Sequence, residues 1–286
     1  MKKTLLALST LMILLVLAAC GSVDDNGEDA VTCEWSDGNV FRVGMDMRYP
    51  PFEMRDDNDE PDGISVDIAK AFAEYLECEV EIVDINFGNL IDSLTLGDID
   101  AIIASMSRTE ARAELINFSD PYMYFKIIGL MNRDYADANN LDEDSTVEDI
   151  LAIETTTFVG ISGQVSYSLP FELGIPEERV TSAPDQTAAV ASVANGDFDI
   201  MMMSAAPVSR GHQANLDDTV VMWDPFDSSP IAIGLRQGED DLLDMANAFV
   251  ASMDEAGGLN EQLSERWDDA IFEILDRYGL EFFLNE

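Results

Sequence analysis

The stretch Ile64-Ser65-Val66-Asp67-Ile68-Ala69-Lys70-Ala71-Phe72-Ala73-Glu74-Tyr75-Leu76 lies between two short runs, Phe41-Arg42-Val43-Gly44-Met45 and Val80-Glu81-Ile82-Val83. Within it, Ile64, Ile68, Ala71, Phe72, Tyr75 and Leu76 recur at offsets 0, 4, 7, 8, 11 and 12, which draws one apolar face on a helix. The flanking runs have the length and alternation of strands. Outward from this unit the order continues, with a second helix near Leu90 to Leu96 and a buried strand-like run Ala101-Ile102-Ile103-Ala104. Strands alternating with helices predict a parallel α/β sheet.

The alternation restarts after Asn132. Phe158-Val159-Gly160-Ile161 reads as a strand, followed by a helix around Tyr167 to Leu173, a helix near Thr187 to Asn195 and a buried strand from Phe198 to Met203. Asp142-Glu143-Asp144-Ser145 is an acidic loop between the halves. Ile231 to Leu235 gives a last strand and Leu242 to Met253 a long amphipathic helix. The chain therefore holds two α/β units that are not a repeat in sequence.

Composition narrows the function. The 286 residues carry 57 acidic against 15 basic side chains, a formal charge of −42, so nucleic acid and anionic lipid headgroups are repelled. Hydrophobic residues make up 47%, enough for a core. Beyond Lys2 and Lys3 the only lysines are Lys70 and Lys126, a composition suited to saline surroundings. His212 is the only histidine and the cysteine spacing fits no metal motif, which argues against a metal site or a His-based triad; no cofactor is expected.

At the N-terminus, Met1-Lys2-Lys3 is basic and Leu5 to Ala19 is apolar apart from Ser9 and Thr10. This order predicts a secretory signal peptide over 1–19, shorter than the roughly 20 apolar residues of a membrane span. Leu17-Ala18-Ala19-Cys20 resembles the lipobox of bacterial lipoproteins, which implies cleavage before Cys20 and acylation of its sulfur. The alternative is an uncleaved anchor helix ending in an incidental cysteine. Gly21 to Ala30 has too little apolar content to fold and reads as part of a lipidated tether over 20–35. Cys33 precedes the first strand and Cys78 the second, so a disulfide can form if those strands are neighbours.

Five motifs follow in order: Gly44-x-Asp46-x-x-Tyr49-Pro50-Pro51-Phe52-Glu53; Gly63-x-x-Val66-Asp67-Ile68-Ala69; Phe87-x-x-Leu90-Ile91-x-x-Leu94-x-x-Gly97-Asp98-Ile99-Asp100-Ala101; Met106-Ser107-x-Thr109-x-x-Arg112; and Phe118-Ser119-Asp120-Pro121-Tyr122. Weaker Asn195-Gly196-x-x-Asp199 and Glu265-Arg266-Trp267 extend the series. Together they resemble extracytoplasmic solute-binding proteins of family 3, the polar amino acid receptors of ABC transporters. The resemblance implies an α/β fold of the periplasmic-binding-protein-like type II class: two lobes, a ligand cleft and a double hinge crossing. The crossings are expected near Leu130 and Ser229, with lobe 1 over 36–129 plus 230–286 and lobe 2 over 130–229.

Thr109 is placed to cap a helix whose third position is Arg112, setting a guanidinium fork beside free backbone N–H groups. In the family the matching arginine holds the ligand's α-carboxylate; the plainer reading pairs Arg112 with Glu110 or Glu114. Ser105 and Ser107 match positions that bind ligand by hydroxyl or backbone. Tyr49 and Phe87 match the aromatic positions that sandwich the ligand, with ordinary core packing as the alternative. Asp46 matches a side-chain contact or is a structural loop acid. Gly163 and Gln164 stand where the family offers N–H groups at a helix start, but the expected Thr-Thr is absent. Ser204 falls where the family places the aspartate for the α-ammonium. Either the ligand lacks that amine, an acid elsewhere serves, or the register differs.

The implied function is capture of an amino acid or related small carboxylate by a monomeric receptor. The receptor is exported and lipid-anchored at the outer face of the cell membrane or in the periplasm, and it serves a permease and its ATPase. It is not expected to be an enzyme. The alternatives are a ligand sensor or a cyclohexadienyl-dehydratase-like enzyme, for which the sequence offers no cleft acid of raised pKa. The tail from Asp268, with Phe272, Ile274, Leu275, Tyr278, Phe282 and Phe283, is expected to dock on lobe 1 as a helix.

Overall fold

Ten strands carry the fold in the computed structural model, which describes residues 33–36 and 40–285. They are β1 Val40–Met45, β2 Met54–Arg55, β3 Pro61–Asp62, β4 Glu79–Asp84, β5 Ala101–Ile102, β6 Asn117–Asn132, β7 Phe158–Ile161, β8 Val180–Ala183, β9 Ile200–Ser204 and β10 Thr219–Leu235. β2 and β3 form a small hairpin, and the other eight make one sheet in the order β4-β1-β5-β10-β6-β9-β7-β8. At one end β4, β1 and β5 are parallel; at the other, β9, β7 and β8 are parallel. The helices Ile64–Tyr75, Leu90–Leu96, Val165–Glu172 and Gln186–Ala194 alternate with these strands as the periodicity predicts.

The two halves are joined by an antiparallel pair. β6 has 16 residues and β10 has 17, and they pair from Asn117 opposite Leu235 to Asn132 opposite Thr219. β10 meets β5 at Gly234, whereas β6 meets β9 from Ile127 to Met131, so the same two strands serve both halves. This is the double crossing of the type II architecture. The register slips between Met222 and Asp227, where Pro225 has no N–H to give the ladder. One core gathers Phe41, Phe52, Ile68, Phe72 and Ile102; a second gathers Met131, Ile150, Phe158, Ile200 and Met202.

Several motif residues hold this frame. Gly63 has φ 129°, and a Cβ there would lie 2.2 Å from the Phe52 carbonyl oxygen, so only glycine fits. Asp67 accepts from Arg266 and from Trp267 Nε1 at 2.8 Å, tying the helix Leu259–Leu275 to Ile64–Tyr75. Asp199 accepts from the N–H and hydroxyl of Thr157, both at 2.7 Å. β1 and β4 are neighbours, and Cys33 and Cys78 are bonded. Cys20 and most of the expected tether lie outside the described residues.

The tail departs from expectation. The helix Leu259–Leu275 stops at Asp276, whose φ is 56°, and a separate turn follows at Glu281–Leu284. Phe272 is 53% exposed, whereas Phe283 is buried against Phe52 and Phe125, with ring centroids 5.2 Å from each.

Candidate ligand-binding cleft

A cleft of about 760 Å³ opens between the two parallel halves of the sheet. All nine residues singled out in the sequence line it: Asp46, Tyr49, Phe87, Ser105, Ser107, Arg112, Gly163, Gln164 and Ser204. Phe125, Ile127, Ile161 and Met203 add apolar surface.

Thr109 caps the turn Glu110–Ala113, its hydroxyl accepting the Arg112 N–H at 3.3 Å. The helix is a single turn, so its dipole contributes little and the guanidinium is the main attraction for an anion. Arg112 donates to the Ser107 carbonyl at 2.8 Å and to the Gly163 carbonyl at 3.2 Å, and its guanidinium carbon lies 5.3 Å from the Phe87 ring centroid. It forms no ion pair with Glu110, Glu114 or any other acid among the described residues. Burial pulls its pKa below the ordinary guanidinium value. A desolvated cation that meets only carbonyls and a ring face is a strong receptor for a carboxylate.

Other expected roles are altered by local bonding. Asp46 binds Arg48 through both carboxylate oxygens and accepts the Phe87 N–H at 2.9 Å, so it organises the loop beneath Phe87. Burial raises its pKa, but these partners outweigh that and leave it below the ordinary value. Gly163 offers its carbonyl to Arg112, and the Gln164 N–H is already given to the Ile161 carbonyl at 3.0 Å. The expected N–H pair is therefore not available at Gln164. Ser204 shares a short hydrogen bond with the Tyr49 hydroxyl across the cleft.

Glu53 closes the first motif, where the resemblance implies no ligand role for it. It lines the cleft at 1% exposure, and its Oε1 accepts the hydroxyls of Ser65 and, at 2.7 Å, Ser105. Ser105 has φ 51°, a left-handed conformation uncommon for a non-glycine residue. Burial pushes the Glu53 carboxyl up to about 8. The sequence signal was an acid directly after the apolar Pro50-Pro51-Phe52 run.

The profile of bacterial extracellular solute-binding proteins, family 3, matches residues 41–270. The chain belongs to this family. This family 3 protein is 27% identical over 278 residues to the arginine-binding extracellular protein ArtP of Bacillus subtilis, covering 93% of this chain and 98% of that one. It is 26% identical over 276 residues to the ABC transporter glutamine-binding protein GlnH of the same organism, covering 92% and 95%. Among solved structures, the ancestral amino acid-binding protein AncCDT-1, a precursor of cyclohexadienyl dehydratase, superposes with a TM-score of 0.64 at 26% identity. That match covers 79% of this chain and 94% of the other. Among the described residues no helix is long and apolar enough to cross a membrane.

Proposed function

We propose that this protein captures an amino acid and delivers it to an ABC permease and its ATPase, without altering it chemically. The observation that carries the reading is Arg112, a half-buried guanidinium facing the cleft with no acid against it. Relatives named for arginine and glutamine binding support the ligand class. The ligand carboxylate docks on Arg112 and Ser107, its body lies against Tyr49 and Phe87, and Ser204 and Gly163 close from the other side. Lobe 1 comprises 36–129 plus 230–286 and lobe 2 comprises 130–229. Contacts made only when they meet bias the hinge toward closure. The receptor works as a monomer after loss of residues 1–19, held outside the cell by acylated Cys20 and the tether 20–35.

Calorimetry of the purified protein against the standard amino acids tests this. One of them binds, and Arg112→Ala lowers its affinity about 100-fold or more. Unchanged affinity in that variant refutes the reading. A protonated carboxyl in the cleft, as at Glu53, is also what acid-catalysed dehydration requires. Turnover of a cyclohexadienyl acid would replace the receptor reading with an enzymatic one.

A further inference from the structure

Glu53 occupies an unusual position for a buried acid. Its backbone is locked to Tyr49, each donating its N–H to the other's carbonyl at 2.9 and 3.0 Å, so carboxyl and aromatic ring sit on one short turn. Two hydroxyls fix the carboxyl, both donating to its Oε1. No arginine or lysine forms an ion pair with it among the described residues. The other acids lining the cleft are engaged: Asp46 by Arg48, and Asp185 by capping the Ala188 N–H at 2.8 Å. Ser204 brings a hydroxyl and no charge. A buried carboxyl lacking a cation, on a cleft wall beside the Tyr49 and Phe125 rings, is a site built for a positive group.

We infer that Glu53 is the counter-ion for a cationic group of the ligand, so that the cleft selects molecules carrying both a carboxylate for Arg112 and an ammonium or similar cation for Glu53. The inference rests on the receptor reading above and adds the residue that sets ligand charge. With no cation beside it the carboxyl keeps its proton at neutral pH, because burial raises its pKa and Asp46 adds to the effect. The groups facing it are Asp46 from the end of β1, the Tyr49 and Tyr122 phenols, and the Ser65 and Ser105 hydroxyls. Both phenols are raised by burial and stay protonated. An arriving cation ionises Glu53, and the released proton passes to solvent.

The test is calorimetry at pH 7 in two buffers of different ionisation enthalpy. The probes are the standard amino acids, with 6-aminohexanoate, hexanoate and propionate as carboxylates lacking an α-ammonium. Wild-type protein is expected to bind an amino acid with release of close to one proton, and to bind hexanoate and propionate far more weakly. Glu53→Gln, which keeps an acceptor for the serines, weakens amino acid binding about 30-fold or more and abolishes the proton release. Binding that Arg112→Ala destroys but Glu53→Gln leaves unchanged refutes the role of Glu53 and spares the receptor reading. A preference for hexanoate or propionate does the same. Absence of wild-type binding to every probe refutes both. If Glu53→Gln fails to fold, the proton count on wild-type protein decides alone: none released refutes the inference.

Discussion

A carboxyl group withdrawn from water holds its proton, and Glu53 makes that a property of the whole fold. Its pKa rises from 4.5 to about 8, so between these values the folded state binds more protons than the unfolded chain. Stability therefore falls as pH rises through this window, by up to about 5 kcal/mol. Asp46 has the opposite sign: its pKa is lowered, so its contribution is present above the ordinary carboxylate range and is lost on acidification. Denaturant unfolding at pH 5, 7 and 9 should show a decline that Glu53→Gln removes; equal slopes in both proteins would contradict the burial argument. That Arg112, Tyr49 and Phe87 line one cleft was legible because their motifs come in order along the chain. The burial of Glu53 was not, since its bonding partners lie 12 and 52 positions away. Nor could spacing reveal that Tyr49 would engage Ser204, 155 positions on.

Elements with regular periodicity, the β1 to β5 unit above all, were legible to within a few residues. The long hinge strands were not: Pro121, Pro225 and Pro230 interrupt their alternation, and only the antiparallel partner explains why they are extended. Most of the tail lies beyond the family match, which ends at residue 270, yet its Phe283 packs into the aromatic cluster next to Tyr49. Phe283 is fully buried against Phe52 and Phe125, whose rings lie 5.7 and 6.3 Å from that of Tyr49. Phe283→Ala should destabilise the fold by about 3–5 kcal/mol through loss of burial and the cavity left behind. It should also weaken ligand binding, because Tyr49 loses its backing. Phe272→Ala, at an exposed position of the preceding helix, should stay within about 0.5 kcal/mol of wild type. Chemical denaturation of both variants checks the pair; similar losses would mean that the tail adds bulk and no specific plug.

At the scale of the whole molecule, charge is the dominant imbalance. The few cations are concentrated at structural seams: Arg266 joins Asp62 and Asp67, while Arg42 and Arg236 both reach the buried Asp100. Most of the 57 acids cannot be matched by 15 basic side chains, so the surface repels itself at a formal charge of −42. Such repulsion acts over the Debye length, about 10 Å at 0.1 M salt and about 3 Å at 1 M. Raising potassium chloride across that range should therefore raise the melting temperature, with the gain concentrated at the low end where screening changes most. The seam ion pairs oppose this only weakly: those at the buried Asp100 are little screened by salt, and the exposed ones are worth little, so repulsion wins. Sucrose serves as the control, since it favours compact states without screening charge. A melting temperature that rises with sucrose but not with salt would show that repulsion among the acids does not limit stability, and the link to saline surroundings would fall with it.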